Sequence, residues 1–359
     1  MRSQVAIAPR SERMASVESY RVVAIFIVVC LHTNFITRLH LVGGGYGFLV
    51  DMPLYLLFWM AVPYFFLAAG YFFGRKVRGG SHPLLLLRGS CTSLLLVFVI
   101  WVMIYSFLGR SWISNFYHQG IWPTLSAEAV QTASRLRSDH ITLLLIPRPP
   151  IYHLWFLPAL MAGLGTVAVV LTRHLEKVAV SLCLFLYVLT VACEVLPLDV
   201  LRAYPPGMLL IGMLFTVMGW WVSREGAISN AVALKLMAGG FVLALVEGAI
   251  LKKLVHASSY QVIHYPYAGA VLLVLGIFLF TLANPTIGQR TILPILARFT
   301  LGVYVSHILI GHMLASIHDQ LPLYSTFWHL VYTLAVYWLS VLLTWSLLQI
   351  PGVRLAVTR

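Results

Sequence analysis

Long apolar stretches separated by short polar ones run along almost the whole chain. A helix needs about 20 mainly apolar residues to cross the hydrocarbon core of a bilayer, and ten stretches come close to this length or exceed it. The predicted spans are 20–38, 47–73, 84–108, 152–172, 178–197, 207–223, 229–251, 262–283, 292–315 and 322–349. The pattern therefore predicts an all-α polytopic membrane protein with about ten transmembrane helices.

Composition supports this fold class and excludes others. Of the 359 residues, 60% are hydrophobic and only 10% are charged, whereas a soluble domain has about 25% charged residues. The net charge of +13 does not indicate nucleic-acid binding, because the basic residues cluster between apolar spans, as in loops that face anionic lipid. The four cysteines lie in apolar segments without a C-x-x-C spacing, so we expect neither disulfides nor a metal site.

The spans define a simple domain organisation. Residues 1–19 form a predicted cytoplasmic N-terminal segment, 20–350 a single transmembrane domain, and 351–359 a cytoplasmic tail. The one long connection, near 109–151, is predicted to be an external loop. Its aromatic residues fit either an amphipathic piece lying in the membrane interface or an ordinary aromatic anchor; they are Trp112, Phe116, Tyr117 and Trp122.

Positive charge sets the predicted orientation. An even number of spans puts both termini on one side, and most basic residues between spans fall on that same side, which is then cytoplasmic. They are Arg2, Arg10, Arg13, Arg75, Lys76, Arg78, Arg88, Arg173, Lys177, Arg224, Arg290, Arg354 and Arg359. Lys252 and Lys253 fall on the other side and count against the assignment. We expect a multi-pass membrane protein.

The first span carries an arginine at its start and a histidine eleven residues later, Arg21 and His32. Eleven residues turn a helix by about 1100°, so both side chains share one face, and they rise by about 16.5 Å along it. Ionisable groups within a membrane span mark functional sites by default. The alternative is a histidine that is hydrogen-bonded inside the bundle, with an arginine that only extends to the lipid headgroups.

Further polar residues lie within apolar surroundings: Asp51, His153, Glu247, Arg298, Tyr304 and His307. Buried charges must pair with one another or line a wet cavity. Since cations outnumber acids here, an anion such as phosphate would complete the pairing. Coenzyme A thioesters combine a phosphorylated head with an arm of on the order of 15–20 Å, comparable with the rise from Arg21 to His32. A neutral histidine at the far end can act as a general base on a hydroxyl.

Several motifs occur in order along the chain. Arg21 and His32 are separated by ten residues, and 62–71 reads Val-Pro-Tyr-Phe-Phe-Leu-Ala-Ala-Gly-Tyr. Residues 153–157 read His-Leu-Trp-Phe-Leu, and 300–307 read Thr-Leu-Gly-Val-Tyr-Val-Ser-His. In these motifs, and in a basic residue at Arg88 that opens a span, the chain resembles the integral-membrane acyltransferase family 3, bacterial enzymes that O-acylate cell-surface glycans. The resemblance extends from the first span to the ninth.

The resemblance implies a cytoplasmic acyl-CoA donor, usually acetyl-CoA, and a glycan acceptor on the outer side of the membrane. It implies that His32 is the general base, that Arg21 and Arg88 bind the donor phosphates, and that Arg75 or Arg78 assists. Supporting or acceptor-site roles are expected for Trp155, His153, Tyr304, His307 and Glu247. No metal is expected.

Three departures from the family pattern stand out. Glu18 replaces the usual aspartate before the arginine, Val22 replaces a glycine after it, and Ala69 replaces a serine. Two other functions remain open at this point: a glycan or anion transporter that acylates nothing, and a non-catalytic subunit of a polysaccharide synthesis machine. The sequence leaves open the acyl group (acetyl or succinyl), the acceptor, a covalent acyl-enzyme and the oligomeric state.

Overall fold

The computed structural model describes residues 14–35, 48–108, 118–138, 152–195, 207–226, 228–253, 266–320 and 325–357. Across these ranges the chain is a bundle of α-helices without strands. The helices of sixteen residues or more are α1 (Ala15–His32), α2 (Phe48–Arg78), α3 (Pro83–Phe107), α4 (Ile121–Ser138), α5 (Phe156–Thr172), α6 (Ala179–Val195), α7 (Gly207–Arg224), α8 (Asn230–Lys253), α9 (Ala268–Ala283), α10 (Thr300–Gln320) and α11 (Ser325–Gln349). Short 3₁₀ turns or a single helical turn precede α5, α6 and α10 and follow α11.

The structure confirms the all-α polytopic fold class. Each of the ten predicted spans overlaps a helix or a turn-plus-helix unit. By length and composition, nine of the described segments are apolar enough to cross a membrane, and α9 is a shorter apolar helix of 16 residues. The described helix α4 falls inside the predicted external loop and exposes Trp122; the other three aromatic residues named for that loop lie outside the described ranges.

Glycines bring the central helices into close contact. A Cβ built on Gly70 of α2 would lie 1.9 Å from the Thr216 carbonyl oxygen of α7, and one on Gly219 of α7 would lie 2.0 Å from the Leu67 oxygen of α2. Gly240 of α8 and Gly269 of α9 face each other in the same way. Small residues let helix backbones approach closely in lipid, where dispersion and not hydrophobic burial drives association. These contacts fix the frame against which α1 packs.

Glu247 adds a hydrogen-bonded contact between α8 and α9. Its carboxylate oxygens accept hydrogen bonds from the backbone N–H groups of Ala268 and Gly269, at 3.1 and 2.9 Å. Both groups belong to the first turn of α9, where N–H groups have no partner within the helix and a negative charge is favoured. Glu247, one of the two acids that the sequence places in apolar surroundings, therefore stabilises the beginning of the short helix α9.

One end of the bundle gathers several of the segments that the charge pattern assigned to one side. The backbone N–H of Ser16 donates to the Pro285 carbonyl, and the Ser19 side chain lies against Gly288. Gly74, near the end of α2, packs on Ser223 at the end of α7. The contacts agree with a common side for these connections, and which side is cytoplasmic stays a prediction.

Helix α1 differs from its predicted bounds of 20–38. It begins at Ala15 and ends at His32, and Asn34 adopts a left-handed conformation with φ 54°. Asparagine tolerates that conformation better than most residues, and it commonly stops a helix. The Thr33 hydroxyl also bonds back to the Val29 carbonyl at 2.9 Å. His32 is consequently the last residue of the helix.

The glycine contacts give a test with an adjacent control. Gly240→Val places side-chain atoms against the backbone of α9, where a Cβ already lies 2.5 Å from the Leu273 nitrogen. Gly239→Val meets open space. Overpacking typically costs about 1–3 kcal/mol, so we expect Gly240→Val to lower the thermal unfolding temperature of the detergent-purified protein. Equal melting temperatures for the two variants would contradict this packing.

Candidate active site

A cavity of about 880 Å³ lies between α1, α2, α3, α5 and the beginning of α10. This volume is in the usual range for ligand pockets. Its described walls combine charged residues at one end with apolar and aromatic residues at the other. The lining residues include Glu18, Arg21, Ile25, Val28, Lys76, Phe156, Arg298, Thr300 and Tyr304.

Arg21 is held at the cavity wall by two partners. One guanidinium nitrogen donates to both carboxylate oxygens of Glu18 at 3.2 Å, and the other donates to the Thr300 hydroxyl at 3.1 Å. The Arg21 side chain keeps 30% of its surface exposed, so part of the guanidinium remains open to a ligand. Glu18 thus supplies a carboxylate three residues before the arginine, where the family pattern often has aspartate.

Two further cations line the same cavity, Lys76 from α2 and Arg298 from the turn before α10. Both are exposed, and the Arg298 guanidinium carbon lies 4.6 Å from the centre of the Phe299 ring. With Arg21 they provide three positive groups beside one carboxylate. Such an arrangement suits a polyanionic ligand, and arginine's planar fork suits phosphate in particular.

The three basic residues that the sequence assigned to donor binding besides Arg21 are exposed and are not among the cavity's lining residues: Arg75, Arg78 and Arg88. Arg75 instead donates to the Tyr71 hydroxyl at 3.2 Å. The sequence contained a signal for Lys76 as a cavity residue. It lies four residues after Phe72 and seven after Ala69, and both of these also line the cavity. Such residues share one helix face.

The cavity follows one face of α1 away from Arg21. Ile25 and Val28 line it next, and the spacing of four, three and four residues leads from Arg21 through them to His32. His32 is not among the lining residues. At the end of the cavity away from Arg21 the walls are apolar and aromatic. They include Phe156 and Tyr304, whose rings meet edge to face with centres 5.3 Å apart.

His32 is paired with His307 of α10. The His32 Nδ1 and His307 Nε2 atoms are 2.8 Å apart. His307 Nδ1 lies 2.7 Å from the Tyr304 carbonyl oxygen and 3.1 Å from that of Val303. Since carbonyl oxygens only accept, His307 Nδ1 must carry a proton, and its neutral ring then accepts at Nε2. His32 therefore donates from Nδ1, and its Nε2 keeps the free lone pair that a base requires.

His153 lies beside this pair. Its ring centre is 6.4 Å from that of His32 and 5.5 Å from that of His307. The Tyr304 hydroxyl donates to the His153 backbone carbonyl, so the residue that ends the cavity also anchors the short turn that carries His153. Three histidines from three separate segments are thus brought together, and none of the described His, Cys, Asp and Glu groups has an arrangement suited to a metal ion.

The remaining predicted site residues are placed elsewhere or are not described. Trp155 is half-buried, packs against Phe66 with ring centres 6.1 Å apart, and does not line the cavity. Its neighbour Phe156 takes that place. Glu247 is engaged at the beginning of α9. The side chain of Asp51 lies outside the described part of the structure.

Comparison with known proteins identifies the family. A search of curated proteins and a search of solved structures each gave no match. The family model described as "Acyltransferase domain", that of acyltransferase family 3, matches residues 14–348. The match covers α1 to α11 except the last residue of α11, and it includes Arg21, the histidine pair and every described cavity residue except Val357. The chain is therefore a multi-pass membrane protein that belongs to acyltransferase family 3.

Proposed function

We propose that the protein moves an acetyl group from cytoplasmic acetyl-CoA to a hydroxyl of an extracytoplasmic or exported glycan, in the bacterial inner membrane. One observation carries the proposal. A single face of α1 runs from Arg21, along the cavity through Ile25 and Val28, to His32 with its free Nε2. An acyl donor with an anionic head, a thin uncharged arm and a small acyl group at its end matches this order of charged, apolar and basic surfaces.

The negative charge of the donor determines which end of the cavity its phosphates would occupy. Its phosphates would bind at the end of the cavity that holds Arg21, Lys76 and Arg298, and the arm would extend along α1. The rise over eleven helical residues is about 16.5 Å, so the thioester would arrive beside the histidine pair. An acetyl group suits the apolar walls at the end of the cavity away from Arg21, because a succinyl group would carry a free carboxylate that a buried site must pair with a cation.

The chemistry follows from the tautomer of His32. Its Nε2 takes the proton of an acceptor hydroxyl while the hydroxyl oxygen forms a bond to the thioester carbonyl carbon. The resulting tetrahedral intermediate collapses as the carbon–sulfur bond breaks. The imidazolium of His32 returns its proton to the leaving thiolate, which leaves an ester on the glycan and free CoA. His307 holds the His32 ring in place through the Nδ1–H hydrogen bond, as an orienting partner does in a catalytic triad.

His32→Ala should abolish CoA release from acetyl-CoA and label transfer to glycan, because it removes the base that takes the proton of the acceptor hydroxyl. The assay uses purified protein in nanodiscs for thiol release and membranes of producing cells for transfer of radiolabelled acetyl. His82→Ala, in the exposed loop before α3, is the matched control and should retain activity. A wild-type protein that passes glycan but releases no CoA would identify a permease instead.

Arg21→Ala should raise the KM for acetyl-CoA, since a charge-assisted hydrogen bond contributes about 1.5–3 kcal/mol, equivalent to roughly 10- to 150-fold. The substitution also leaves Glu18 without its partner, so Glu18→Gln/Arg21→Ala should recover part of the loss by removing a carboxylate that repels phosphate. Arg75→Ala is the control, because this side chain binds Tyr71 away from the cavity. An equal rise in KM for the control would reject Arg21 as the specific donor contact.

His307→Phe should lower kcat by about 100-fold, the low end of what a positioned base contributes, with little change in the KM for acetyl-CoA. The phenyl ring fills the space but cannot accept from His32 Nδ1. His307→Gln offers an amide oxygen to the same proton and should recover part of the rate. Loss of activity in both variants together with a lowered melting temperature would indicate that His307 only supports the fold.

A further inference from the structure

His153 is a buried histidine whose ring makes no hydrogen bond. It is 1% exposed, and neither Nδ1 nor Nε2 has a hydrogen-bond partner among the described residues. The Val305 carbonyl lies near enough to this ring to be a weak backbone acceptor, but it does not meet the distance and angle limits of a hydrogen bond, and it already accepts from the Tyr105 hydroxyl at 2.8 Å. Buried polar groups nearly always have partners, so one without any needs an explanation.

The surroundings of His153 are those of a reaction centre. Its ring meets Tyr105 edge to face at 4.9 Å, and the His32 and His307 rings lie 6.4 and 5.5 Å away. The turn that carries His153 leads directly into Phe156, which lines the end of the cavity away from Arg21. His153 is not itself among the lining residues; it lies between the histidine pair and the turn that leads to the cavity wall, close to where the proposed function places the thioester.

In the tetrahedral intermediate, His32 and His153 would contact different oxygens, the attacking oxygen and the oxyanion. A hydrogen bond spans about 2.8 Å, and the ring centres of His153 and His32 are 6.4 Å apart, which leaves room between the rings for the carbon that carries both oxygens. The backbone of His153 is fixed by the Tyr304 hydroxyl. The ring is thus held in advance beside the reacting atoms, with its polar atoms unused.

We infer that His153 donates a ring N–H hydrogen bond to the carbonyl oxygen of the acyl thioester and stabilises the oxyanion that forms when the acceptor attacks. The inference rests on the proposed function and assigns a second catalytic residue to it. A neutral imidazole carries one N–H, so His153 only donates this hydrogen bond, while His32 moves the proton. Preorganised donors of this kind act strongly in a dry site, since they need not reorient during the reaction.

The test observes the carbonyl directly and needs no acceptor. The full chain with His32→Ala, which cannot turn over, is loaded in nanodiscs with acetyl-CoA carrying ¹³C at the carbonyl, and infrared difference spectra record its stretching band. We expect the bound band at lower frequency than in free acetyl-CoA. His32→Ala/His153→Leu should lose this shift, and His32→Ala/His82→Leu should keep it, with dissociation constants equal within about threefold.

Activity gives the second measurement. In the otherwise native chain, His153→Leu should lower kcat for CoA release by about 10²- to 10³-fold with the KM unchanged, as removal of one oxyanion donor does elsewhere. His153→Asn and His153→Gln each keep an amide donor, at the positions of Nδ1 and Nε2, and one of them should recover part of both the rate and the band shift. These two variants also serve if the leucine variant does not fold.

Three results would overturn the inference alone, and a fourth would also overturn the proposed function. A thioester that binds with an unshifted band, or a shift that survives His153→Leu, rejects the oxyanion contact while His32 keeps its role. A kcat that is unchanged in His153→Leu does the same. Failure of the wild-type protein to bind acetyl-CoA at all would instead reject the proposed function, and this inference with it.

Discussion

The arrangement depends on the cost of placing polar groups inside a membrane-spanning bundle. Each such group must be paired or must face a cavity, and the described residues meet this demand in two ways. Arg21 is paired with Glu18 and Thr300 but stays partly open to the cavity. His32 and His307 satisfy each other. The buried His153 ring is an exception, because it has no hydrogen-bond partner among the described residues, and the proposed oxyanion contact would supply one.

Rigid packing supports this pairing. The close α2–α7 and α8–α9 contacts at glycines, and the capping of α9 by Glu247, form a frame whose helices cannot easily shift past one another. Against it, α1 and α10 bring residues 275 positions apart in sequence within hydrogen-bond distance, as His32 and His307 are. A base that must hold one tautomer requires such a frame, because a displacement of about 1 Å costs much of the rate.

The cavity joins a cationic end to an apolar end along a single face of α1. Under the proposed function, a donor from one side of the membrane would reach the histidines without leaving the bundle. The C-terminal segment contributes as well. After α11 the chain returns to α3, where the Trp101 indole N–H donates to the Ala356 carbonyl at 2.8 Å and Val357 lines the cavity. The predicted tail is thus partly a wall of the proposed donor site.

The sequence by itself determined the class of protein, the approximate helices and the common face of Arg21 and His32 on α1, because hydrophobic length and helical spacing are local properties. Arg21 and His32 share a face for that reason, and the family motifs drew attention to His153, Tyr304 and His307. Tertiary structure alone decided which polar residues meet. It selected Lys76 and Arg298 over Arg75, Arg78 and Arg88 as cavity residues, and Phe156 over Trp155, because a helix can rotate any of these into the cavity until its neighbours fix it. It likewise assigned Glu247 to a helix end and left the His153 ring unpaired, since hydrogen-bond partners distant in sequence are set only by packing.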